Sequence, residues 1–299
     1  MKTGIWKYAD NLKTIDKEFQ CSMNEGNTPI IRYSDIYIKR DDLNPTGSYK
    51  DRGVAYRISK AKKNGEKTLV ISSTGNFAIS MSKYAEQFGI KIVAFVPINI
   101  SKEKENILKD TATIINKVDK PILQALSYAE QNRVSYVRQS TDEGILEGFK
   151  TLMLEVLENN IKFENILFPV SSGTLLLSTY QILEDLDIIT KPRLIAVQTT
   201  YNTYIAREFC QGYIKSLIPS IATSLNVKLR PQRFTDIIQA IKKTNGSAMV
   251  VNEKDIIKTK KLLWDNDINV GFETSACYFA SKSMDLSGNT LVISTGSLR

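Results

Sequence analysis

From about residue 36 onward, short apolar runs alternate with longer stretches whose apolar positions recur at helical spacing, the pattern of parallel strands joined by helices. Ile36-Tyr37-Ile38-Lys39 predicts a first strand, and the segment carrying Tyr56-Arg57-Ile58-Ser59-Lys60-Ala61 predicts a helix. Thr68-Leu69-Val70-Ile71-Ser72 predicts a second strand, which leads through Ser73-Thr74-Gly75-Asn76 into a helix that runs through Ala85 and stops at Gly89. Further strands are expected at 91–97, 112–117, 165–170, 193–198 and 290–296, and after Ser135-Tyr136-Val137-Arg138 a helix over 145–157. Each run is apolar through both faces, which predicts sheets covered by helices on both sides. The fold class is therefore α/β. No repeat, low-complexity segment or linker interrupts the pattern, so any division into domains is interleaved rather than end to end.

Composition narrows this picture. The chain has 299 residues, of which 42% are hydrophobic and 24% charged, ordinary proportions for a soluble globular enzyme with one large or two interlocked domains. Cys21, Cys210 and Cys277 are odd in number and far apart, which argues against a disulfide framework and for packing residues. There is no histidine, so the usual nitrogen and sulfur ligands of zinc are missing and no metal site is expected. The formal charge of +8 is carried by scattered lysine pairs such as Lys62-Lys63 and Lys242-Lys243, with acidic residues between them. That is a solvated surface rather than a nucleic-acid footprint. The first ten residues lack a signal-peptide pattern, and nowhere do about eighteen apolar residues run together, so a cytoplasmic protein without a membrane span is expected.

The missing histidine also directs attention to lysine as the base or nucleophile. Asn44-Pro45-Thr46-Gly47-Ser48-Tyr49-Lys50 is a tight bend that delivers Lys50 to the first turn of a helix, where burial and the helix dipole favour an unprotonated amine. Ser72-Ser73-Thr74-Gly75-Asn76 offers hydroxyls, backbone N–H groups and a carboxamide at a second helix start, a place for a carboxylate or simply a cap. Val170-Ser171-Ser172-Gly173-Thr174 sets small donors between a strand and a helix, suited to a phosphate without any basic side chain. Ser294-Thr295-Gly296 ends the last strand with hydroxyls that suit a ring nitrogen or merely close the strand. In open α/β sheets ligands collect at such carboxyl edges.

Together these residues resemble the fold type II pyridoxal-phosphate enzymes and, within them, the threonine synthases. The resemblance runs through Trp6 and Tyr8, Glu25-Gly26-Asn27-Thr28-Pro29, Leu43 to Gly53, Ser73 to Asn76, Leu146-Glu147-Gly148, Ala196-Val197-Gln198, Ile221-Ala222-Thr223 and Glu273-Thr274-Ser275-Ala276, in order. Tyr49 stands where phenylalanine is usual. The resemblance implies two interleaved three-layer domains with largely parallel sheets, like the tryptophan synthase beta subunit. Residues 1–55 and 135–299 would form the larger, cofactor-binding domain, and 56–134 a smaller mobile one carrying the asparagine loop. It further implies a homodimer, pyridoxal 5'-phosphate bound as a Schiff base on Lys50, Asn76 on the cofactor's phenolic oxygen, and Ser171, Ser172, Gly173 and Thr174 around its phosphate. Thr295 would meet the pyridine nitrogen; a hydroxyl there, unlike a carboxylate, does not enforce protonation and suits elimination chemistry. Ser73, Thr74, Gly75 and Ser140 would hold the substrate.

The chain departs from that pattern where a phosphorylated substrate would be gripped. Gln139 replaces an asparagine, Ile145 an arginine and Phe77 a threonine, while Asp142 and Glu143 add negative charge. Loss of a bidentate guanidinium removes a charge-assisted pair unless another cation, such as Arg138 or Lys150, substitutes. Two reactions follow. One is conversion of O-phosphohomoserine and water to threonine and phosphate; the other is β-elimination from unphosphorylated serine or threonine. A third reading, a cofactor-binding protein without turnover, runs against the retention of Lys50, Asn76 and the Ser-Gly loop.

Overall fold

A computed structural model describes residues 3–73, 75–100, 102–111, 113–226 and 232–296. In chain order its elements are β1 (Ile30–Tyr33), β2 (Ile36–Arg40), α1 (Lys50–Lys63), β3 (Thr68–Ile71), α2 (Asn76–Gln87), β4 (Lys91–Pro97), α3 (Lys102–Lys109), β5 (Ile114–Val118), α4 (Pro121–Asn132) and β6 (Ser135–Val137). There follow α5 (Glu143–Leu157), β7 (Asn165–Pro169), α6 (Thr174–Asp185), β8 (Arg193–Thr199), α7 (Phe234–Lys243), β9 (Ser247–Val251), α8 (Glu253–Trp264), α9 (Phe272–Ser283) and β10 (Thr290–Ser294). No helix among the described residues is long and apolar enough to cross a membrane.

The chain divides into two compact units, and each has its own sheet. One unit comprises Met1–Gly26 and Asn44–Thr151 and holds a four-stranded sheet in the order β5-β4-β3-β6, parallel throughout. Val70, Val93 and Phe95 of this sheet pack on Ala125 and Ala129 of α4. The other unit comprises Asn27–Leu43 and Leu152–Arg299, with a six-stranded sheet in the order β1-β2-β10-β7-β8-β9. There Ile38, Leu167, Ile195, Val197 and Val292 pack on Ala276, Cys277 and Tyr278 of α9 and on Ile256 and Leu263 of α8. Cys21, Cys210 and Cys277 are free thiols, and burial pushes that of Cys277 well up. The sequence-based division at residues 56 and 134 was drawn for a mobile domain, a property that compactness does not measure.

Two strands of the six-stranded sheet escape the hydrophobic pattern. β1 pairs with β2 in the one antiparallel ladder among the described strands, turned by Ser34 at φ +57°, and it carries no fully buried side chain. β9 is an edge strand, Ser-Ala-Met-Val-Val, whose alternation is too mixed to read as a buried run. The expectation that every strand is covered on both faces also fails at β5. It lies at the edge of its sheet, begins at Ile114 rather than 112, and leaves Ile114 42% exposed. An edge strand has a neighbour on one side only, so apolar residues there need not be enclosed. Ala112 lies outside the described residues.

Candidate active site

The Lys50 turn is built by short-range hydrogen bonds. The Gly47 amide donates to the Asn44 carbonyl at 2.7 Å, with Gly47 at φ +83°, a conformation that favours glycine. The Gly26 amide donates to the Asn44 side chain at 2.8 Å, and the Lys50 amide to Ser48 Oγ at 3.3 Å. Asp51 is fully buried: its carboxylate accepts from the Thr46 amide at 2.7 Å, from the Thr46 hydroxyl, and from Ser80 Oγ of α2 at 2.6 Å. One carboxylate thus welds the lysine turn to the helix that begins at Asn76. Burial pushes the Lys50 ammonium well below its ordinary value of 10.5, toward the neutral amine that nucleophilic chemistry requires. Nζ is hydrogen-bonded to the Tyr49 hydroxyl and lies 3.9 Å from the Tyr49 ring centroid and 5.8 Å from that of Phe149.

β3 and β6 run parallel and abreast, Ile71 beside Val137, so the segments that leave them share one sheet edge. From β3 come Ser73 and Gly75, both half-buried, and then Asn76, exposed at the start of α2. The Ser72 and Tyr136 hydroxyls share a hydrogen bond across this edge. Thr74 lies outside the described residues. From β6 come Arg138, Gln139 and Ser140, all half-buried. Gln139 Nε2 donates to the Tyr49 hydroxyl at 3.3 Å, which joins this segment to the lysine turn.

The departures from the family pattern acquire structural roles here. Asp142 accepts from Arg57 Nε at 3.0 Å and from the Ile145 amide at 3.0 Å, so its charge is paired and it caps α5. Ile145 is fully buried against α1, where a Cβ placed on Gly53 would stand 2.9 Å from Ile145 Cγ2 and 2.8 Å from its carbonyl oxygen. Phe77 is buried as well. Lys150, one of the two cations that sequence offered as a substitute, is buried and paired with Glu147 at 3.1 Å. The other, Arg138, is half-buried and has no carboxylate partner among the described residues.

The second unit carries the small-residue turn between β7 and α6. Ser171 and Ser172 are half-buried; Gly173, at φ +73°, is the N-cap of α6, and Thr174 is its first residue. A Cβ on Gly173 would stand 2.4 Å from Ile237 Cδ1, so the end of that side chain would have to shift, and the positive φ itself favours glycine. The Ser172 and Thr174 hydroxyls are 2.9 Å apart. The α6 N-terminus and these hydroxyls present small donors of the kind that suits an anion. Gln198, fully buried, holds the approach to this turn. Its Nε2 donates to the Val170 carbonyl at 3.2 Å, and its Oε1 accepts from the Ile205 and Ala206 amides at 2.8 and 2.9 Å. Sequence placed Gln198 in a matching motif, but its action as a clamp follows only from the loop that returns to it.

Thr295 directly follows β10, which is parallel to β7 with Thr290 beside Asn165 and Val292 beside Leu167. Thr274 of α9 donates to Ser294 Oγ at 3.0 Å and fixes the end of this strand. The expected residues therefore fall into two groups, one in each unit. Lys50, Ser73, Gly75, Asn76 and Ser140 belong to the first, and Ser171, Ser172, Gly173, Thr174 and Thr295 to the second.

Two sheets, parallel apart from the β1–β2 pair and joined by helices, define an α/β fold of the fold type II class. The chain belongs to the family of pyridoxal-phosphate dependent enzymes, whose model matches residues 21–296. It is similar to the threonine synthase of Methanocaldococcus jannaschii, at 24% identity over 284 residues, which cover 87% of this chain and 70% of the relative. It is similar as well to the threonine synthase of a Bacillus species, at 26% identity over 281 residues, covering 88% and 78%. Among solved structures, threonine deaminase isoform 2 of Solanum lycopersicum shares the fold with a TM-score of 0.79 at 17% identity, over all of this chain and 87% of that one. Maize serine racemase does so with a TM-score of 0.78 at 19% identity, over 92% and 89%.

Pyridoxal 5'-phosphate is thus the cofactor, and the residues present fit it. An amine driven toward neutrality by burial suits an aldehyde, a helix N-terminus with small donors suits a phosphate, and a hydroxyl just after β10 suits a ring nitrogen.

Proposed function

We propose that the chain converts O-phosphohomoserine and water to threonine and phosphate. The bound cofactor supplies an electron sink at the substrate α-carbon. Lys50 holds the cofactor and then acts as the base at Cα, and the same amine takes the Cβ proton as phosphate leaves Cγ. A proton is delivered to Cγ, water adds its hydroxyl at Cβ, and a proton returned to Cα completes threonine. Asn76 bonds the cofactor's phenolic oxygen, Ser73, Thr74 and Gly75 receive the substrate carboxylate, and Ser140 contacts the substrate. Ser171, Ser172, Gly173 and Thr174 hold the cofactor phosphate, and Thr295 meets the ring nitrogen.

The observation that carries this reading over its rival is the burial of Ile145 and Phe77. Both had argued for an unphosphorylated substrate, yet both are packing residues, so their replacement of arginine and threonine says little about the ligand. Arg138, two residues before Ser140 and without a carboxylate partner among the described residues, supports a relocated grip on a phosphate. One observation favours the second reading, β-elimination from serine or threonine. Gln139, at the position of the asparagine, commits its amide to Tyr49.

A single comparison separates them. The purified chain is treated with borohydride, the labelled peptide is mapped, and the loaded enzyme is offered O-phosphohomoserine and, separately, L-threonine and L-serine. Labelling at Lys50 and release of inorganic phosphate are expected. Release of a 2-oxo acid without phosphate would establish the second reading, and absence of label on Lys50 would remove both.

A further inference from the structure

The hydroxyl of Tyr49 calls for an explanation that packing does not supply. Its ring lies 4.8 Å from the Phe149 ring, centroid to centroid, at an interplanar angle of 42°, a contact that phenylalanine would make equally well. A hydroxyl in such a setting costs free energy unless hydrogen-bonded, and this one is bonded on two sides, to Lys50 Nζ and to Gln139 Nε2 at 3.3 Å. The Gln139 carboxamide can only donate through this nitrogen, so it fixes which lone pair of the phenol oxygen is occupied. The same oxygen also meets the lysine amine. A neutral amine accepts from the phenol O–H, and an ammonium donates to a lone pair of the oxygen, so the hydroxyl holds Nζ in either protonation state.

We infer that Tyr49 is a positioning residue for Lys50, its hydroxyl holding the lysine amine on one side while the Gln139 carboxamide aims it from the other. This goes beyond the proposed reaction and rests on it only in taking Lys50 as the working amine. The charged neighbours are engaged elsewhere. The Asp51 carboxylate accepts from Thr46 and Ser80, and Arg52 Nη1 donates to Thr151 Oγ1 at 3.3 Å. Phe149 and Gln139, which face the amine and the phenol from α5 and from the segment after β6, are neutral. Burial is the influence that lowers the amine, and the Tyr49 hydroxyl is a polar group in hydrogen-bond contact with it.

The test reads the amine directly and needs no turnover. The full chain, free of cofactor, is acetylated with trace acetic anhydride across a pH series, and the rate at Lys50 is followed by mass spectrometry of its peptide. Bonds to charged groups are stronger than bonds to neutral ones, so Tyr49→Phe is expected to lower the midpoint for Lys50 by roughly one pH unit. Gln139→Ala is expected to lower it by less, and to have no further effect in the Tyr49→Phe background. An unchanged midpoint in Tyr49→Phe overturns the inference, as does a Gln139→Ala effect that persists in full without the hydroxyl. If Tyr49→Phe fails to fold, Gln139→Ala alone decides, since an unmoved midpoint there breaks the chain of bonds. Should the native chain take up no cofactor, the proposed reaction falls while the acetylation result stands.

Discussion

Gly148 is the point at which helix packing in the first unit admits no side chain. A Cβ built there would stand 2.3 Å from the Arg52 carbonyl oxygen, 2.8 Å from Gly53 Cα and 2.9 Å from the Arg52 carbonyl carbon. These are backbone atoms in the first turn of α1, so no rotamer change relieves the contact, and α1 and α5 must part by about 1 Å to restore ordinary van der Waals separation. Gly53 faces back in the same way toward Ile145 and Phe149, which makes the seam a pair of opposed glycines. Forcing extra volume into a packed core costs about 1–3 kcal/mol, and the backbone target places Gly148→Ala near 3 kcal/mol. Alanine returns up to about 1 kcal/mol through helix propensity, leaving a net loss of about 2 kcal/mol. For a chain of this size that corresponds to a fall of roughly 3 °C in melting temperature. Thermal unfolding followed by circular dichroism is the assay. Because the displaced turn also carries Lys50, uptake of pyridoxal 5'-phosphate, read as visible absorbance, is expected to slow. A variant as stable as the parent, or more stable as propensity alone requires, would refute the close seam.

Three further outcomes are expected. Ile145→Arg forces a guanidinium into the fully buried seam and is expected to cost about 3–5 kcal/mol, seen as loss of folded protein; a stable variant that releases phosphate faster would show that the side chain at 145 reaches substrate. Gln198→Ala leaves the Val170 carbonyl and the Ile205 and Ala206 amides without their partner, at a cost of about 3 kcal/mol in total, and loosens the small-residue turn. Its cofactor is expected to dialyse away faster than the parent's, and equal retention would contradict the clamp. Lys50, whose folded value lies below 10.5, binds fewer protons in the folded than in the unfolded chain between that lowered value and 10.5, so stability without cofactor rises with pH across this window. Urea midpoints of the cofactor-free chain at about pH 7 and about pH 10 should show that rise, and Lys50→Met should lessen it; an equal slope in both would mean the amine is not desolvated.

The two sheets were legible because buried parallel strands are short, continuous apolar runs, and Thr68–Ile71, Lys91–Pro97, Asn165–Pro169 and Arg193–Thr199 have that character. β1 and β9 were not legible. Edge strands need no such run, and the burial of Ile31 or Met249 depends on what packs over them. The small-residue turns and Lys50 were found by local chemistry, since a glycine at positive φ before a helix leaves its mark within a few residues. Gln198 and Asp51 act on partners brought close by the fold, Val170 and Ser80, 28 and 29 residues away in the chain.

The sequence by itself determined the fold class, through periodicity, and the cofactor, through the family resemblance that its contiguous motifs carry, and it offered Lys50 as the candidate amine. Tertiary structure alone decided what the exceptional residues do. Ile145 and Phe77 turned inward, Asp142 paired with Arg57 across 85 residues, and Tyr49 met Gln139 across 90. The physical reason is that a side chain's role depends on its direction and its neighbours, and chain spacing fixes neither until helices and strands have packed.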